Sequence, residues 1–309
     1  MRNGLTALGL AIFLLLIACA QKEEVTRINL FEKKKGVLES KATSAETPLR
    51  IGVSPMFSPR ETLASYERLV TYIGERIGRP AVLKQRRSYY EINDMLRSNQ
   101  LDCAFICGGA YVEARDEGYI EILVVPVVRG ELVYHSYIIV PKESEVETFD
   151  ELQGKVFAFT DPLSNSGRMV PEFMLLQLGH SPGSFFSKTI YSYSHDRSIE
   201  LVADRKVDGG AVDSLVWEFM EAMGSKSTAG TRIIRRSPPY GIPPVVVPST
   251  LDPTLKDKLR QALLSLHLDP QGREMMGAIA IDRFVQGGDQ MYDSIRAMRA
   301  SMKAKSEGK

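Results

Sequence analysis

Apolar segments of strand length alternate with segments of helical periodicity along most of the chain, and this alternation restricts the fold more than any other feature. One series runs from a strand at Leu49 to a strand at Ile122, and a second series begins at Val156. Strands that alternate with helices are typical of parallel βαβ units, in which helices cover the faces of one sheet. We therefore predict an α/β fold with two similar halves.

The chain is predicted to cross between the halves twice, near Tyr134 and near Pro243. The two crossings give one lobe of residues 48–133 plus 244–309 and a second lobe of residues 134–243, each with a mixed, mostly parallel sheet. Ligands of such folds bind in the crevice at the carboxyl ends of the parallel strands. The residues that directly follow a strand are therefore the first candidates for a site.

The first long helix has a specific predicted start. Ser58 is expected to be its N-cap, Pro59 its first residue and Glu61 the acid of a capping box. The buried face of this helix is predicted to comprise Leu63 and the residues one, two and three turns later, which are Tyr66, Leu69, Val70 and Ile73. After a strand at Val245 to Val247, the rest of the chain is predicted to be helical.

The two cysteines Cys103 and Cys107 lie on one predicted strand, which ends in a turn at Gly108 and Gly109. Four residues along a strand span about 13 Å, whereas a disulfide requires Cα atoms within about 7 Å. We therefore expect the two thiols to be unpaired. The sequence has 4 histidines and no CxxC or HExxH spacing, so neither a metal site nor a cofactor is expected.

The N-terminal segment has the features of a lipoprotein export signal. Arg2 precedes an apolar stretch, and Leu16, Ile17 and Ala18 lead directly into Cys19. We expect cleavage after residue 18, lipid attachment at Cys19, a polar tether over residues 19–47 and a periplasmic, membrane-anchored protein. The alternatives are an uncleaved anchor helix or an ordinary signal. Ala20 after the cysteine favours the outer membrane.

The charge balance excludes one class of partner. The chain has 39 Lys+Arg and 38 Asp+Glu, and removal of residues 1–18 would take away only Arg2. A neutral surface whose only basic run is Lys33 to Lys35 provides no footprint for nucleic acid. We expect a monomer whose ligand is a small molecule.

The segment from Asp161 to Gly167 is the strongest candidate for chemistry. An apolar strand stops at Asp161, and Ser164, Asn165 and Ser166 then open a helix whose first N–H groups have no partner within the helix. Those groups, the helix dipole and the serine hydroxyls suit an oxyanion, and Gly167 permits close approach of a ligand. The alternative is an ordinary serine helix cap.

The wider sequence resembles the phosphonate-binding family of ABC-transporter solute receptors over about residues 48 to 300. The resemblance is carried by segments that occur in the same order in that family, namely Leu96–Ser98 with Leu101–Phe105, Tyr134–Ser136, Glu151–Gly167, and Ser194–Asp196 with Val207–Asp213. The resemblance implies a two-lobed periplasmic binding protein of type II with two crossing strands. It also implies that the serine-rich helix start holds phosphonate or phosphite oxygens.

The resemblance implies that four further residues face the cleft. Tyr89 could donate its hydroxyl to the anion or only cap a helix, and Tyr134 could contact ligand or pack in the hinge. His195 could donate to an oxyanion and sense pH, or be structural. Asp213 could accept from a ligand amine or a protonated ligand oxygen, or cap the helix that starts near Leu215.

Three positions depart from the family pattern. Asn165 stands where a hydroxyl residue is common, and Arg168 follows the glycine, where it could add an anion contact or point to solvent. Cys107 replaces a glycine at the end of the third strand. Its thiol could line the cleft and suit a soft ligand such as arsenite, or it is a small buried apolar residue.

The resemblance implies a protein that binds phosphonate, phosphite or phosphate and delivers it to an ABC permease. The same fold would also serve an oxyanion sensor that partners a histidine kinase, and the sequence does not separate the two. A hydrolase with Ser164 or Ser166, His195 and Asp213 as a triad is the third alternative. We expect no enzyme, because no GxSxG elbow accompanies the serines.

Overall fold

The computed structural model describes residues 47–307. The predicted signal segment, Cys19 and the predicted tether up to residue 46 lie outside the described residues. Within the described range, no helix combines the length and the apolar character that crossing a lipid bilayer would require.

The chain begins with three βα units followed by a fourth strand. The strands are β1 (Leu49–Val53), β2 (Ala81–Gln85), β3 (Cys103–Phe105) and β4 (Ile120–Val127). The helices between them are α1 (Pro59–Ile77), α2 (Tyr89–Arg97) and α3 (Gly108–Asp116).

The second series follows a short crossing strand, β5 (Val133–Tyr134). Its strands are β6 (Ser136–Pro141), β7 (Val156–Phe159), β8 (Lys188–Tyr191), β9 (Gly209–Asp213) and β10 (Thr231–Arg236). Its helices are α4 (Val170–Gln177), which follows a π-helical turn at Asn165–Met169, and α5 (Pro182–Phe185), α6 (His195–Ala203), α7 (Ser214–Ala222) and α8 (Lys226–Ala229). A short 3₁₀ helix occupies Asp150–Leu152.

The chain returns through β11 (Tyr240–Gly241) and β12 (Val245–Pro248). The C-terminal part contains α9 (Pro253–Ser265), α10 (Pro270–Gly277), β13 (Arg283–Val285) and α11 (Asp293–Glu307), with 3₁₀ helices at Leu266–Leu268 and Asp289–Tyr292. The strand β13 falls in the region that was predicted to be helical throughout. It pairs antiparallel with β4 at the edge of the first sheet, a long-range pairing that local periodicity does not reveal.

The strands form two sheets joined by a two-stranded crossing. The first sheet has the order β13-β4-β12-β3-β1-β2, and the second has the order β10-β6-β9-β7-β8. Parallel pairs (β1 with β2 and β3, β7 with β8 and β9) occur together with antiparallel pairs in both sheets. At the crossing, β5 and β11 pair antiparallel with Tyr134 opposite Tyr240. The fold is a two-lobed α/β fold of the type II binding-protein class, as predicted. The prediction of mostly parallel sheets is wrong, because five of the nine pairings in the two described sheets are antiparallel.

Helix α1 shows how the sequence pattern is realised. Its predicted apolar face is buried at Tyr66, Leu69, Val70 and Ile73, but Leu63 is 46% exposed, so its predicted burial is wrong. Thr62 occupies that end of the stripe instead, one turn before Tyr66, and its hydroxyl donates to the Phe57 carbonyl oxygen at 3.1 Å. Because the hydroxyl is satisfied, its burial carries little cost.

Helix α1 also begins at Pro59 as predicted, but the predicted capping box at Ser58 is wrong. The Ser58 hydroxyl makes no capping hydrogen bond. The Ser58 N–H donates to both carboxylate oxygens of Asp196, each at 2.9 Å. A carboxylate of the second lobe therefore occupies the position that Glu61 has in a capping box.

The region after β3 differs from the prediction as well. β3 ends at Phe105, because the Ile106 N–H turns to the Pro244 carbonyl oxygen at 3.1 Å. Gly108 and Gly109 are not a turn but the first residues of α3, with Cys107 as N-cap. Cys103 and Cys107 are buried, free cysteines.

A candidate anion site between the lobes

The predicted site residues come together where the two lobes meet. Tyr89 is fully buried, and burial together with the charges of Cys107, Asp161, Asp213 and Tyr134 raises its pKa well above the ordinary value. These groups therefore lie close to one hydroxyl. They follow strands or begin helices in both lobes, as expected for a crevice at the carboxyl ends of parallel strands.

Tyr89 itself bridges the lobes. It is the first residue of α2, and its N–H donates to the Asp161 carboxylate at 3.1 Å. Its hydroxyl oxygen lies 3.3 Å from Nε2 of His195, which begins α6 in the second lobe. The sequence left open whether Tyr89 caps a helix or faces the cleft. Its backbone is capped by Asp161, and its hydroxyl points to His195.

The hydrogen bonds of His195 fix its protonation. Nδ1 accepts the Asp213 N–H at 3.1 Å, so the ring hydrogen sits on Nε2 and is directed to the Tyr89 hydroxyl. Burial lowers the pKa of His195 to about 3. The ring therefore stays neutral in the physiological range and does not sense pH there. Because the Tyr89 hydroxyl accepts from Nε2, its own hydrogen is available to a third group.

This geometry is not that of a catalytic triad. Nδ1 of His195 pairs with the N–H of Asp213 rather than with its carboxylate, and Nε2 pairs with Tyr89 rather than with a serine. The Thr160 hydroxyl is a second neighbour of Nδ1, at 3.1 Å. An arrangement of this kind lacks the serine–histidine contact that activates a nucleophile.

The two serines of the predicted anion segment have different surroundings. The Ser164 hydroxyl accepts the Gly167 N–H at 2.9 Å and is the N-cap of the π-helical turn. The Ser166 hydroxyl is completely buried and has no hydrogen-bond partner among residues 47–307. Ser164 therefore shapes the turn, and Ser166 holds an uncommitted hydroxyl.

Gly167 is required for packing inside the second lobe. A Cβ atom at this position would lie 2.5 Å from Cβ of Thr160, at the end of β7. No side chain fits in that space without movement of the turn. The missing side chain therefore allows the turn to pack closely against the end of β7. The sequence suggested instead that Gly167 lets a ligand approach the backbone.

Asn165 connects the turn to the hinge. Its Nδ2 donates to the Tyr134 hydroxyl at 2.9 Å, while its Oδ1 is buried and without a partner in the described chain. Tyr134 is 1% exposed and belongs to the crossing strand β5. The residue that departs from the family pattern thus pairs with a hinge residue that was itself predicted to face the cleft.

Cys107 lies at the same junction. Its sulfur accepts the N–H groups of Gly109 and Asn165, and burial raises the pKa of the thiol to about 11. A thiol with this pKa is protonated at neutral pH, and the thiolate is the form that binds thiophilic ligands. The surroundings of Cys107 therefore favour its interpretation as a small buried residue.

Asp213 has the second of its two suggested roles, that of a helix cap. Its carboxylate caps α7 by accepting the Leu215 N–H at 2.8 Å, and the residue is 1% exposed. Burial raises the pKa of Asp213 to about 7, although the N–H groups of Leu215 and Val216 act in the opposite direction. A carboxyl group with this pKa exists in both protonation states near neutral pH.

The charge of Arg168 acts on the buried Asp161 carboxyl group, whose pKa it lowers against the larger effect of burial. Its guanidinium donates to the Glu172 carboxylate at 2.9 Å and to the Pro162 carbonyl oxygen at 2.7 Å. These contacts tie it to its own helix and to the preceding loop. They support neither a direct anion contact nor a fully solvated side chain.

Ser54 is a site candidate that the sequence analysis missed. It directly follows β1, and its hydroxyl is fully buried without a hydrogen-bond partner in the described chain. Its position after a parallel strand is the signal that could have identified it. An unsatisfied buried hydroxyl costs about 1 to 3 kcal/mol, so Ser54, Asn165 and Ser166 all suit a polar ligand.

The side-chain donors of the site are neutral hydroxyl groups. Of its two buried carboxyl groups, Asp161 and Asp213, the second has a pKa of about 7. Among residues 47–307, no three His, Cys, Asp or Glu side chains are grouped so that they could hold a metal ion. The hydroxyl donors suit a small oxyanion held by hydrogen bonds.

Comparisons with known proteins agree with this arrangement. A curated relative, a probable ABC transporter phosphite binding protein of Prochlorococcus marinus, is 25% identical over 174 residues, which are 52% of this chain and 59% of the relative. A solved binding protein component of an ABC phosphonate transporter from Pseudomonas aeruginosa superposes with a TM-score of 0.77 and 22% identity, covering 82% of this chain and 85% of that one.

A second solved structure, PhnD1 of Prochlorococcus marinus in complex with methylphosphonate, has a TM-score of 0.76 at 20% identity and covers 82% of this chain and 98% of that one. At these identities the solved structures establish the shared fold. The family model described as an ABC transporter phosphonate periplasmic substrate-binding protein matches residues 51–292. The chain therefore belongs to the family of periplasmic phosphonate-binding proteins of ABC transporters.

Proposed function

We propose that this protein captures a small phosphorus oxyanion between its lobes outside the cytoplasm and delivers it to an ABC permease. The observation that carries the proposal is the Ser166 hydroxyl at the start of a helix in the second lobe, which is buried and has no hydrogen-bond partner within the described part of the chain. Helix starts attract anions through their N–H groups and dipole. The Tyr89 hydroxyl, which has its hydrogen free, supplies a donor from the first lobe.

The proposed mechanism is closure of the lobes over the anion. In the structure, two carboxylates of the second lobe bind the starts of two helices of the first lobe: Asp161 accepts from Tyr89 N–H, and Asp196 accepts from Ser58 N–H. These contacts exist only when the lobes are together. An anion that binds groups of both lobes would stabilise the closed form, which the permease would recognise.

We expect the protein to be held at a membrane by a lipid. The Leu16 to Cys19 motif supports lipid attachment at Cys19, with the folded lobes in the periplasm. We also expect a monomer. Loss of membrane association after Cys19→Ser would support this part. Unchanged association of that variant with membranes would contradict it.

The function is tested by calorimetry of the purified folded part with methylphosphonate, phosphite, phosphate and, as a comparison, sulfate. We expect at least one phosphorus oxyanion to bind more tightly than sulfate. At a ligand concentration of about 100 times Kd, binding stabilises the folded state by about 2.7 kcal/mol, which a thermal melt detects. Absence of binding by all three phosphorus oxyanions would contradict the proposed function.

Asp213 is expected to make the affinity depend on pH. Below its pKa of about 7 the carboxyl group can donate a hydrogen bond to the anion, and above this pKa its negative charge repels the ligand. Affinity should therefore fall as pH rises through this value, by up to about tenfold per pH unit.

The variant Asp213→Asn provides the control, because an amide still accepts the Leu215 N–H and can donate to ligand at every pH. Calorimetry is carried out on both proteins between about pH 6 and pH 9. Titration of the ligand affects both proteins equally, so it cancels in the ratio of their affinities. A constant ratio of the two affinities over this range would show that Asp213 does not titrate beside the ligand.

A further inference from the structure

The starts of two helices meet across the boundary between the lobes. Helix α1 of the first lobe begins at Pro59, and helix α6 of the second lobe begins at His195. The His195 N–H donates to the Met56 carbonyl oxygen at 2.9 Å. The Ser58 N–H donates to both carboxylate oxygens of Asp196, each at 2.9 Å. Each helix start is therefore capped by an acceptor from the opposite lobe.

The Asp196 carboxylate is the charged member of this contact. The residue is 3% exposed, and its carboxylate accepts the N–H groups of Ser58 and Arg197. The Arg197 guanidinium itself pairs with Glu200 at 3.0 Å. A carboxylate is stabilised at the positive end of a helix dipole, and Asp196 lies at two such ends. Its charge therefore favours the arrangement in which the lobes are together.

Helix α1 carries the residues of a second cap in its own sequence. Ser58, Pro59, Arg60 and Glu61 match the S-x-x-E pattern of a capping box. In such a box the serine hydroxyl accepts the N–H of Glu61, and the Glu61 carboxylate accepts the N–H of Ser58. The Ser58 N–H is also the donor that Asp196 binds in the structure. The two carboxylates therefore compete for one N–H group.

The backbone of Ser58 suits either cap. Its φ of −56° and ψ of 155° lie outside the helical region, as is usual for an N-cap residue. Its hydroxyl makes no capping hydrogen bond, and the Glu61 side chain is exposed. Formation of the box after Asp196 withdraws therefore requires only side-chain rotation, and α1 keeps its start at Pro59.

We propose that closure of the lobes exchanges the cap of α1, from the Ser58–Glu61 box when the lobes are apart to Asp196 when they are together, and that the balance of the two caps sets the affinity for the anion. This inference rests on the proposed function and concerns the regulation of the same site. Because the apparent Kd is the intrinsic Kd divided by the fraction of closed protein, these positioning residues change the affinity for every ligand by one factor.

Removal of the cap that serves the open form should tighten binding. Ser58→Ala deletes a hydroxyl that caps nothing in the closed form, and Glu61→Ala deletes the other half of the box. We expect each variant to bind methylphosphonate and phosphite about two- to fivefold more tightly by calorimetry, with the same factor for both ligands. Glu67→Ala, an exposed position on the same helix, is the control and should keep the wild-type affinity. Unchanged or weaker binding by either box variant would overturn the inference.

Removal of the cap that serves the closed form should have the opposite effect. Asp196→Ala should weaken binding of both ligands about 5- to 30-fold, whereas Glu200→Ala on the same helix should not. Without Asp196 the Ser58–Glu61 box is available to both forms. Glu61→Ala should therefore no longer tighten binding when it is added to Asp196→Ala. Retention of the full gain in the double variant would show that the two carboxylates do not compete.

Small-angle scattering without ligand separates this inference from the proposed function. We expect a smaller radius of gyration for Ser58→Ala and Glu61→Ala than for the wild type, because a larger fraction of each is closed, and no decrease for Asp196→Ala. If neither oxyanion binds but these radii differ as expected, the proposed function is wrong and the cap exchange stands. If methylphosphonate binds and the radii of the two box variants equal that of the wild type, the cap exchange is refuted and the proposed function stands.

Discussion

Gly109→Ala is expected to weaken binding of methylphosphonate by about 10- to 100-fold, the equivalent of about 1 to 3 kcal/mol of steric strain. A Cβ atom on Gly109, in the first lobe, would overlap the Leu163 carbonyl oxygen of the second lobe and would lie 2.6 Å from the Met169 methyl group and 3.0 Å from Asn165 N. Backbone atoms of the opposite lobe cannot give way without separating the lobes. The variant should therefore disfavour the closed form.

The free protein should keep its stability in this variant, because Gly109 is the second residue of α3 and alanine is a better helix former than glycine. Calorimetry measures the loss of affinity, and small-angle scattering with ligand shows whether the lobes stay apart. Gly277→Ala is the matched control, since a Cβ atom on that residue of α10 meets nothing within 4 Å. Wild-type affinity of Gly109→Ala would show that binding does not require the lobe contact seen here.

Ser166→Ala should separate affinity from stability. The Ser166 hydroxyl is buried and has no partner in the described chain, so its removal relieves the ligand-free protein of an unsatisfied group. We expect the same change to remove a hydrogen bond to the anion, at a cost of about 1 to 3 kcal/mol of binding. We expect weaker binding together with an equal or higher melting temperature of the free protein.

Ser164→Ala is the informative comparison, because this hydroxyl accepts the Gly167 N–H and caps the turn. Loss of such a cap typically destabilises a protein by about 1 kcal/mol, so the melting temperature should fall along with the affinity. Calorimetry of both variants measures the affinity, and thermal melts measure the stability of the free proteins. A lower melting temperature and unchanged affinity for Ser166→Ala would reverse the roles assigned to the two serines.

The fold could be predicted from the sequence because its dominant signal is local. Alternation of apolar strands with helices such as α1 is visible in single segments, and the two-series pattern implied two lobes. The errors arise where distant residues decide the outcome. The Ser58 N–H donates to Asp196 of the other lobe rather than to its neighbour Glu61. The strand β13 forms by pairing with β4, which is distant in the sequence.

In the candidate site, too, local features could be predicted and contacts between distant residues could not. Its helix start after β7 was recognisable from residue types, and the resemblance added Tyr89, Tyr134, His195 and Asp213, which the structure places together. Their role in binding stays a prediction. The pairing of Asn165 with Tyr134 and the neutral state of His195 depend on tertiary contacts and on burial, which no spacing in the sequence encodes.

The central claim is that an oxyanion binds between the lobes at the turn that contains Ser166. A crystal structure of the protein with bound methylphosphonate tests it most directly. We expect phosphonate oxygens within hydrogen-bond distance of the Ser166 and Tyr89 hydroxyls, with the lobes in contact. A phosphonate bound elsewhere on the protein, with the Ser166 hydroxyl still unpaired between closed lobes, would contradict it.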